Sequence, residues 1–499
     1  MPDIISFATS TVMLNLVYSI FIITLLGIIC LVFVKNTFLG RIQYITLVTS
    51  LLIFLIICII CILFDTYQTS FQAVFIIQST FFNVTTIFFG IDAISLFFIL
   101  LTSFLFPFCI LVNWNSILLK TKEYAILFLL LEILLITVFY IFDTIGFYIL
   151  FESVLIPMFL YIGIWGSRER KIYAAYLLFL YTLVGSLVML FGILHLYYTF
   201  GSSDVQFLWN TAIPSTMQKV LWLAFFASFS VKIPMFPFHI WLPEAHVEAP
   251  TAGSVLLAGV LLKLGGYGFI RFTLPLCPVA TTYYNPLVYT LSLMGILYIS
   301  LTTLRQTDMK RVIAYSSVAH MSLVVLGIFA QNVIALEGAI FLMLSHGVVS
   351  GGLFLCVGQL YGKHKTRLIK YYGGLVQVMP LFSAVLCVFT LANLSLPLTS
   401  SFVGEFLILL GFFYQNIVAA SIAGLTVVFG AGYSLWFYNR VVFGNLNIKH
   451  IYFFTDVSVR DFMLYVPLII FIVLGGIVPS VFFDSMHSAV SSLAYKLHW

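Results

Sequence analysis

The sequence predicts an all-α polytopic membrane protein with about fourteen transmembrane helices, two inverted five-helix repeats and breaks in helices 7 and 12. Three observations carry this expectation. The 499 residues are 62% hydrophobic and only 8% charged, with a mean hydropathy of +1.15, whereas soluble domains carry roughly 25% charged residues. Apolar runs of about 20 residues, the length needed to cross a bilayer core of about 30 Å, recur along the whole chain. Two of those runs are interrupted by similar proline motifs. The composition excludes a soluble enzyme, a disordered chain and an outer-membrane barrel, whose polar lumen would demand alternating polar residues. A net charge of +5, scattered over short loops, argues against nucleic-acid binding.

The apolar runs fall at 12–34, 44–64, 93–112, 124–142, 144–165, 172–200 and 220–239. They continue at 251–272, 286–304, 310–330, 333–361, 380–413, 417–442 and 463–483. The eleventh and twelfth are long, as tilted or broken helices would be. Basic residues orient the set. Loops after odd-numbered spans hold Lys35, Arg41, Lys120, Lys122, Arg168, Arg170, Lys171, Arg305, Lys310 and Arg311, followed by Lys363, Lys365, Arg367, Lys370, Arg440, Lys449 and Arg460. Loops after even-numbered spans and the tail hold Lys219, Arg271 and Lys496. Both termini are therefore expected on the outer side. The first ten residues contain Asp3 and no Lys or Arg, unlike the basic start of a cleavable signal or transit peptide.

Seven cysteines show no disulfide spacing. Cys58-Ile-Ile-Cys61 lies inside an apolar run and reads as ordinary membrane-helix packing. Neither a Gly-rich nucleotide fingerprint nor a cysteine cluster is present, so no cofactor or metal site is expected in this chain.

Ionisable residues inside the spans carry the functional signal, because each costs about 2.5–3.5 kcal/mol at a helix centre. They are Glu132, Glu152, Lys232, Lys263, His320, Glu337, His346 and Glu405. A single buried charge is often a structural pair. Eight groups spread over seven spans, none of them arginine, fit a proton relay, since guanidinium does not release its proton at accessible pH. Ile233-Pro234 and Pro237 follow Lys232 and free backbone carbonyls there. Gly265, Gly266 and Gly268 follow Lys263 and permit close helix approach or a widened backbone. Ser316, Ser317 and His320 share one helical stripe, and His346 sits beside Gly347 and Gly351, a small-residue packing face. Glu337 lies near a span end and Glu132 reads equally well as a structural partner. His239, Glu244, His246 and Glu248 match no zinc spacing and read as a structured loop after a broken helix.

The motifs Ser230-Val231-Lys232-Ile233-Pro234-Met235 and Asn393-Leu394-Ser395-Leu396-Pro397-Leu398 occupy corresponding places if spans four to eight and nine to thirteen form two units. Five helices per unit make successive units inverted. The expected division is 1–112 for the first three helices, 113–275 and 276–442 for the repeats, and 443–499 for the last helix and tail.

The segments Phe236-Pro237-Phe238-His239-Ile240-Trp241-Leu242-Pro243-Glu244-Ala245-His246, Asp308-Met309-Lys310-Arg311, Phe89-Gly90-Ile91-Asp92 and Phe402-Val403-Gly404-Glu405-Phe406 resemble the antiporter-like subunits of respiratory complex I and of multisubunit cation/proton antiporters. Sister chains usually carry lysine where Glu405 stands, which narrows the match. The resemblance spans essentially the whole chain. It implies a proton-translocating core subunit that couples NADH-to-ubiquinone electron transfer to pumping. Glu152 and Lys232 would form a coupling ion pair, Lys263 the central carrier, His320 and His346 the continuing relay, and Glu405 the outer exit; the carry-over to Glu132 is weaker, and to Glu337 weaker still. Flavin mononucleotide (FMN) and iron–sulfur clusters are then expected in partner subunits. The partners implied are other complex I membrane subunits, especially neighbouring antiporter-like chains, together with lipids. The alternative is a sodium/proton antiporter subunit of the Mrp type without redox partners; a purely structural spacer within the complex is a further rival. The 52 phenylalanines, with many Ile and Tyr, suggest translation from an A/T-rich organellar genome and favour the mitochondrial inner membrane over a bacterial plasma membrane.

Overall fold

The computed structural model describes residues 2–78, 86–114, 116–117, 119–446 and 454–497. Lys449 and the side chain of Lys496, both counted in the charge asymmetry, lie outside that description. Among the described residues, 12 helices are long and apolar enough to cross a membrane, from Ser10–Phe33 to Val459–Ile477. The proline motifs interrupt helices where their missing N–H groups predict it. Helix Ser215–Lys232 stops at the lysine and the chain resumes helix at Trp241–Glu248. Helix Pro380–Asn393 is likewise followed, after a non-helical stretch, by Ser400–Phe413.

The bundle is layered by burial. An 18-residue stretch of Thr251–Leu276 and one of Val333–His364 are wholly buried and one of Met309–Phe329 is 94% buried, whereas those of Ser10–Phe33 and Leu39–Leu63 are 28% and 33% buried. Those open faces carry Ile22, Leu25, Leu55 and Ile62, side chains at home in hydrocarbon or against another apolar helix. The three enclosed helices are the ones that carry Lys263, His320 and His346. Small residues let them approach. Gly404 lies so close to the helix Val333–His364 that an added Cβ would sit 2.8–2.9 Å from Leu342, and one on Gly338 would sit 3.0 Å from the Gly404 carbonyl.

At one end of the bundle the basic loops knit together. Lys122 Nζ donates to the Val32 carbonyl, Trp165 Nε1 to Leu119, and Lys363 Nζ to Thr455 and Asp456. Arg367, fully buried, pairs with Asp308 at 2.7 Å and Glu248 at 3.0 Å and donates to the Val247 carbonyl. The opposite end carries an element that hydropathy does not reveal. Strands Gln72–Gln78 and Thr86–Ile91 pair antiparallel, with Phe75 and Phe89 stacked at 4.6 Å. Their apolar runs, QAVFIIQ and TIFFGI, are too short to span and lack the polar alternation that marks a strand in sequence. Directly after the second strand, Asp92 caps helix Ala93–Val112 through a reciprocal box with Ser95, and the same carboxylate pairs with Arg271.

Two sequence expectations change here, and a third residue finds its partner. Arg271 is not a loop residue; it is buried in a π-helical turn, Phe269–Thr273, where Asp92 supplies its counter-charge. The last apolar run splits at Pro479: helix Val459–Ile477 is followed by a separate helix, Ser480–Leu497. Glu337 bonds His487 of that terminal helix at 2.7 Å, so it serves as an anchor at the bundle rim.

Two stability outcomes follow. Asp92→Ala strands the Arg271 guanidinium and removes a helix cap, and should cost about 3–5 kcal/mol, read as a lowered thermal midpoint of the purified assembly. Gly404→Ala forces two packed backbones apart and should cost about 1–3 kcal/mol in the same measurement, while Gly40→Ala, which meets nothing within 4 Å, should leave the midpoint unchanged.

Candidate proton-conducting site

Lys232 is the last residue of its helix and is buried. Its Nζ donates to the Phe151 carbonyl at 3.4 Å and stands over the Phe151 ring at 3.9 Å, a cation–π contact strengthened by desolvation. The next residue along, Glu152, lies within electrostatic reach of this ammonium. The two do not form an ion pair in this conformation: Glu152 Oε1 is buried without a hydrogen-bond partner. The break beyond Lys232 is held by Trp241, whose indole N–H donates to the Val231 carbonyl at 2.9 Å. A carbonyl freed by the interrupted helix is thus satisfied within the protein, as a membrane interior requires.

Lys263 follows a π-helical turn, Leu257–Leu261, a wide turn often found at functional sites. The widening directs the Ala258 carbonyl to the Lys263 ammonium. Gly265 explains why this helix can lie against the Lys232 break: a Cβ there would sit 2.9 Å from the Phe229 carbonyl and 3.1 Å from the Ile233 nitrogen. On its other side Lys263 Nζ meets His346 Nδ1 at 3.0 Å. With Lys263 charged, the ammonium donates and the imidazole nitrogen accepts.

The His346 and His320 rings have centroids 5.7 Å apart. His320 Nδ1 meets Glu405 Oε1 at 2.8 Å, and its Nε2 lies 3.4 Å from the Tyr433 hydroxyl. Glu405 and Tyr433 are buried. The break that precedes the Glu405 helix is held as the first one is. Ser401 Oγ donates to the Ala392 carbonyl across the gap, and Ser395 and Leu398 carry left-handed backbone at φ +60° and +76°.

The structure therefore brings four of the sequence-nominated groups together, as the pairs Lys263–His346 and His320–Glu405 with the two imidazoles adjacent. Lys232 and Glu152 stand at their flank. Glu132 is not brought to them: both its carboxylate oxygens are buried and unpartnered in helix Thr121–Tyr140. The carboxylates of the segment read as a structured loop after the break pair with arginines, Glu244 with Arg311 at 2.5 Å and Glu248 with Arg367 at 3.0 Å. Among the described residues no group of three or more His, Cys, Asp or Glu is arranged to hold a metal ion. Sequence reasoning missed Tyr433, whose only signal is a hydroxyl in an apolar run. It also missed Lys310, counted as a loop residue but buried at the start of helix Met309–Phe329.

Comparison with known proteins agrees with this architecture. The family described as NADH:quinone oxidoreductase/Mrp antiporter, transmembrane, matches residues 142–430. NADH-ubiquinone oxidoreductase chain 4 of Marchantia polymorpha is 53% identical over 95% of this chain and 95% of its own. Its counterpart in Arabidopsis thaliana is 53% identical over 94% of each. Among solved structures, a chain of respiratory complex I from Thermus thermophilus with bound NADH superposes with a TM-score of 0.86 at 28% identity, covering 96% of this chain and 99% of that one. A chain of the archaeal membrane-bound sulfane sulfur reductase shares the fold, with a TM-score of 0.83 at 20% identity. Identity of this extent over nearly the full length places the sequence in one family: the chain belongs to NADH-ubiquinone oxidoreductase chain 4, the antiporter-like membrane subunits of respiratory complex I.

Proposed function

We propose that this subunit moves protons across the inner membrane along Lys263, His346, His320 and Glu405, with Glu152 and Lys232 as the electrostatic control. The observation that carries the reading is continuity. Lys263 to His346 is 3.0 Å, the centroids of the two imidazoles are 5.7 Å apart, and His320 to Glu405 is 2.8 Å, and all four residues are buried.

Each step is a proton hop between groups that are stable with and without it. The Lys263 ammonium donates to His346 Nδ1 and becomes a neutral amine. His346 releases a proton from Nε2 through water to His320, and His320 passes one from Nδ1 to the Glu405 carboxylate, which delivers it outward. An opposite charge nearby holds a lysine protonated, and its withdrawal lets desolvation favour release. Motion of Glu152 toward or away from Lys232 would change how much positive field Lys232 projects onto Lys263. A proton moved against the membrane potential costs about 2.3 kcal/mol per 100 mV. The redox chemistry of partner subunits, where FMN and iron–sulfur clusters belong in this reading, supplies that energy.

The same reading completes the topology. Counting the two interrupted helices with the 12 continuous spans gives fourteen, with both termini on the outer, intermembrane-space side and the basic loops inside. Residues 113–275 and 276–442 form the inverted repeats; the matching carbonyl caps, Trp241 to Val231 and Ser401 to Ala392, support that pairing. Neighbouring antiporter-like subunits and lipids would cover the open apolar helices.

In the assembled complex reconstituted in vesicles, Lys263→Met and Glu405→Gln should each lower quinone-linked turnover and proton pumping by at least about tenfold, while electron transfer from NADH to an artificial acceptor persists. A normal proton-to-electron ratio in both variants would refute the relay. Lys232→Ala and Glu152→Ala should lose coupled pumping with the electron carriers still bound, as reported by their absorption spectrum.

A further inference from the structure

Thr251 lies among the basic loops beside Lys363 and Lys365, and from there the span Thr251–Leu276 runs to the hairpin end of the bundle. Lys263 stands partway along it. Arg271 follows two turns later, about 12 Å on at 1.5 Å per residue. Its guanidinium pairs with Asp92 inside a collar of rings, Phe142 at 5.2 Å, Tyr267 at 5.5 Å and Phe71 at 5.8 Å from the central carbon, all within cation–π range. The hairpin carries one of these rings into place, because the Phe142 N–H donates to the Phe88 carbonyl at 2.8 Å. The Trp209 indole donates to the Arg271 carbonyl at 3.3 Å, so the π-helical turn is held as well. Arg271 and Asp92 are only 4% and 6% exposed. Burying two charges merely to anchor a hairpin is poor economy, since apolar side chains of similar volume often hold as well or better.

We propose that the Arg271–Asp92 pair seals the helix of Lys263 towards the outer side, so that a proton on Lys263 can leave only through His346. The inference rests on the relay and topology reading above and adds positioning residues that act by blocking a path. Proton transfer along hydrogen bonds needs members that both accept and donate. A guanidinium has five donors and no acceptor and does not release its proton at accessible pH, so a chain of waters reaching it ends there. Its positive charge also opposes an approaching hydronium. Asp92 lowers the cost of burying that charge and, held by the guanidinium, stays ionised rather than taking a proton. The collar of rings leaves the pair no polar neighbour through which water could pass around it.

Passive proton entry separates a seal from an anchor. The complex is reconstituted in vesicles without NADH, a potassium gradient with valinomycin imposes a potential, and a trapped pH dye follows the protons. Arg271→Gln combined with Asp92→Asn keeps hydrogen bonding between the two side chains and removes both charges; it should raise proton entry several-fold over the parent complex. Arg271→Gln alone, which leaves a carboxylate free to take a proton, should do the same and serves if the double variant does not assemble. Asp92→Asn alone keeps the cation and should match the parent. An anchor predicts the reverse, with the unpaired cation of Asp92→Asn the most disruptive and the neutral pair tolerated, and that pattern overturns the seal. Adding Lys263→Met to the leaking variant should return entry to the parent rate; a leak that persists runs elsewhere and also overturns it. Pumping with NADH in Lys263→Met is the separate readout of the relay. Its loss beside parental proton entry in both Arg271→Gln variants removes the seal alone, and its persistence removes the relay.

Discussion

A lysine ammonium in the middle of a helical bundle has no bulk water to stabilise it, and the arrangement around Lys263 answers that one constraint. The ammonium is held by a carbonyl turned inward by a π-helical turn and by the Nδ1 of His346. Neither partner is a carboxylate. An ammonium clamped to a carboxylate would be a stable ion pair; one held by neutral acceptors is charged only as long as the surrounding field favours it. In the proposed relay this suits Lys263 to giving its proton up, and the widened helix, the glycines beside it and the histidine opposite occur together around it.

Close packing keeps the run short. Hops between imidazole, amine and carboxylate need separations of a hydrogen bond or one intervening water. Gly265, lying on the backbone of the Lys232 break, and Gly404, lying on the backbone of the His346 helix, bring the helices near enough for that. The helix breaks serve the same end. Each interrupts a backbone ladder in the membrane and would leave carbonyls bare; each is closed by a side chain reaching back from the following segment, Trp241 in one case and Ser401 in the other. Other buried charges are paired at the two ends, where Arg271 meets Asp92 and Arg367 meets Asp308 and Glu248. The groups of the proposed relay are thereby separated from the paired charges.

Much of this was legible in one dimension. Composition and run length sufficed for a helical membrane protein, because the cost of placing backbone and side chains in hydrocarbon is a sum over local residues. The expense of charge in a span marked Lys232, Lys263, His320, His346, Glu405 and Glu152 for the same reason, and the proline motifs located both helix breaks. The hairpin at 72–91 escaped notice, since its register depends on what it covers, as did the separate terminal helix beyond Pro479.

Pairing, in contrast, was decided only in three dimensions. His320 and Glu405 are 85 residues apart in the chain, and Lys263 and His346 are 83 apart; no periodicity relates them. Packing also sorted equals: of the intramembrane glutamates, Glu405 joins a histidine in the enclosed core, Glu337 ties down the terminal helix at the rim, and Glu132 stands alone. The same packing buried His246, which looked like part of a loop, against Phe354 with neither ring nitrogen hydrogen-bonded. Which groups are ionisable within the membrane is a property of sequence. Which of them can exchange a proton depends on distances of a few ångströms, and helix packing alone sets those.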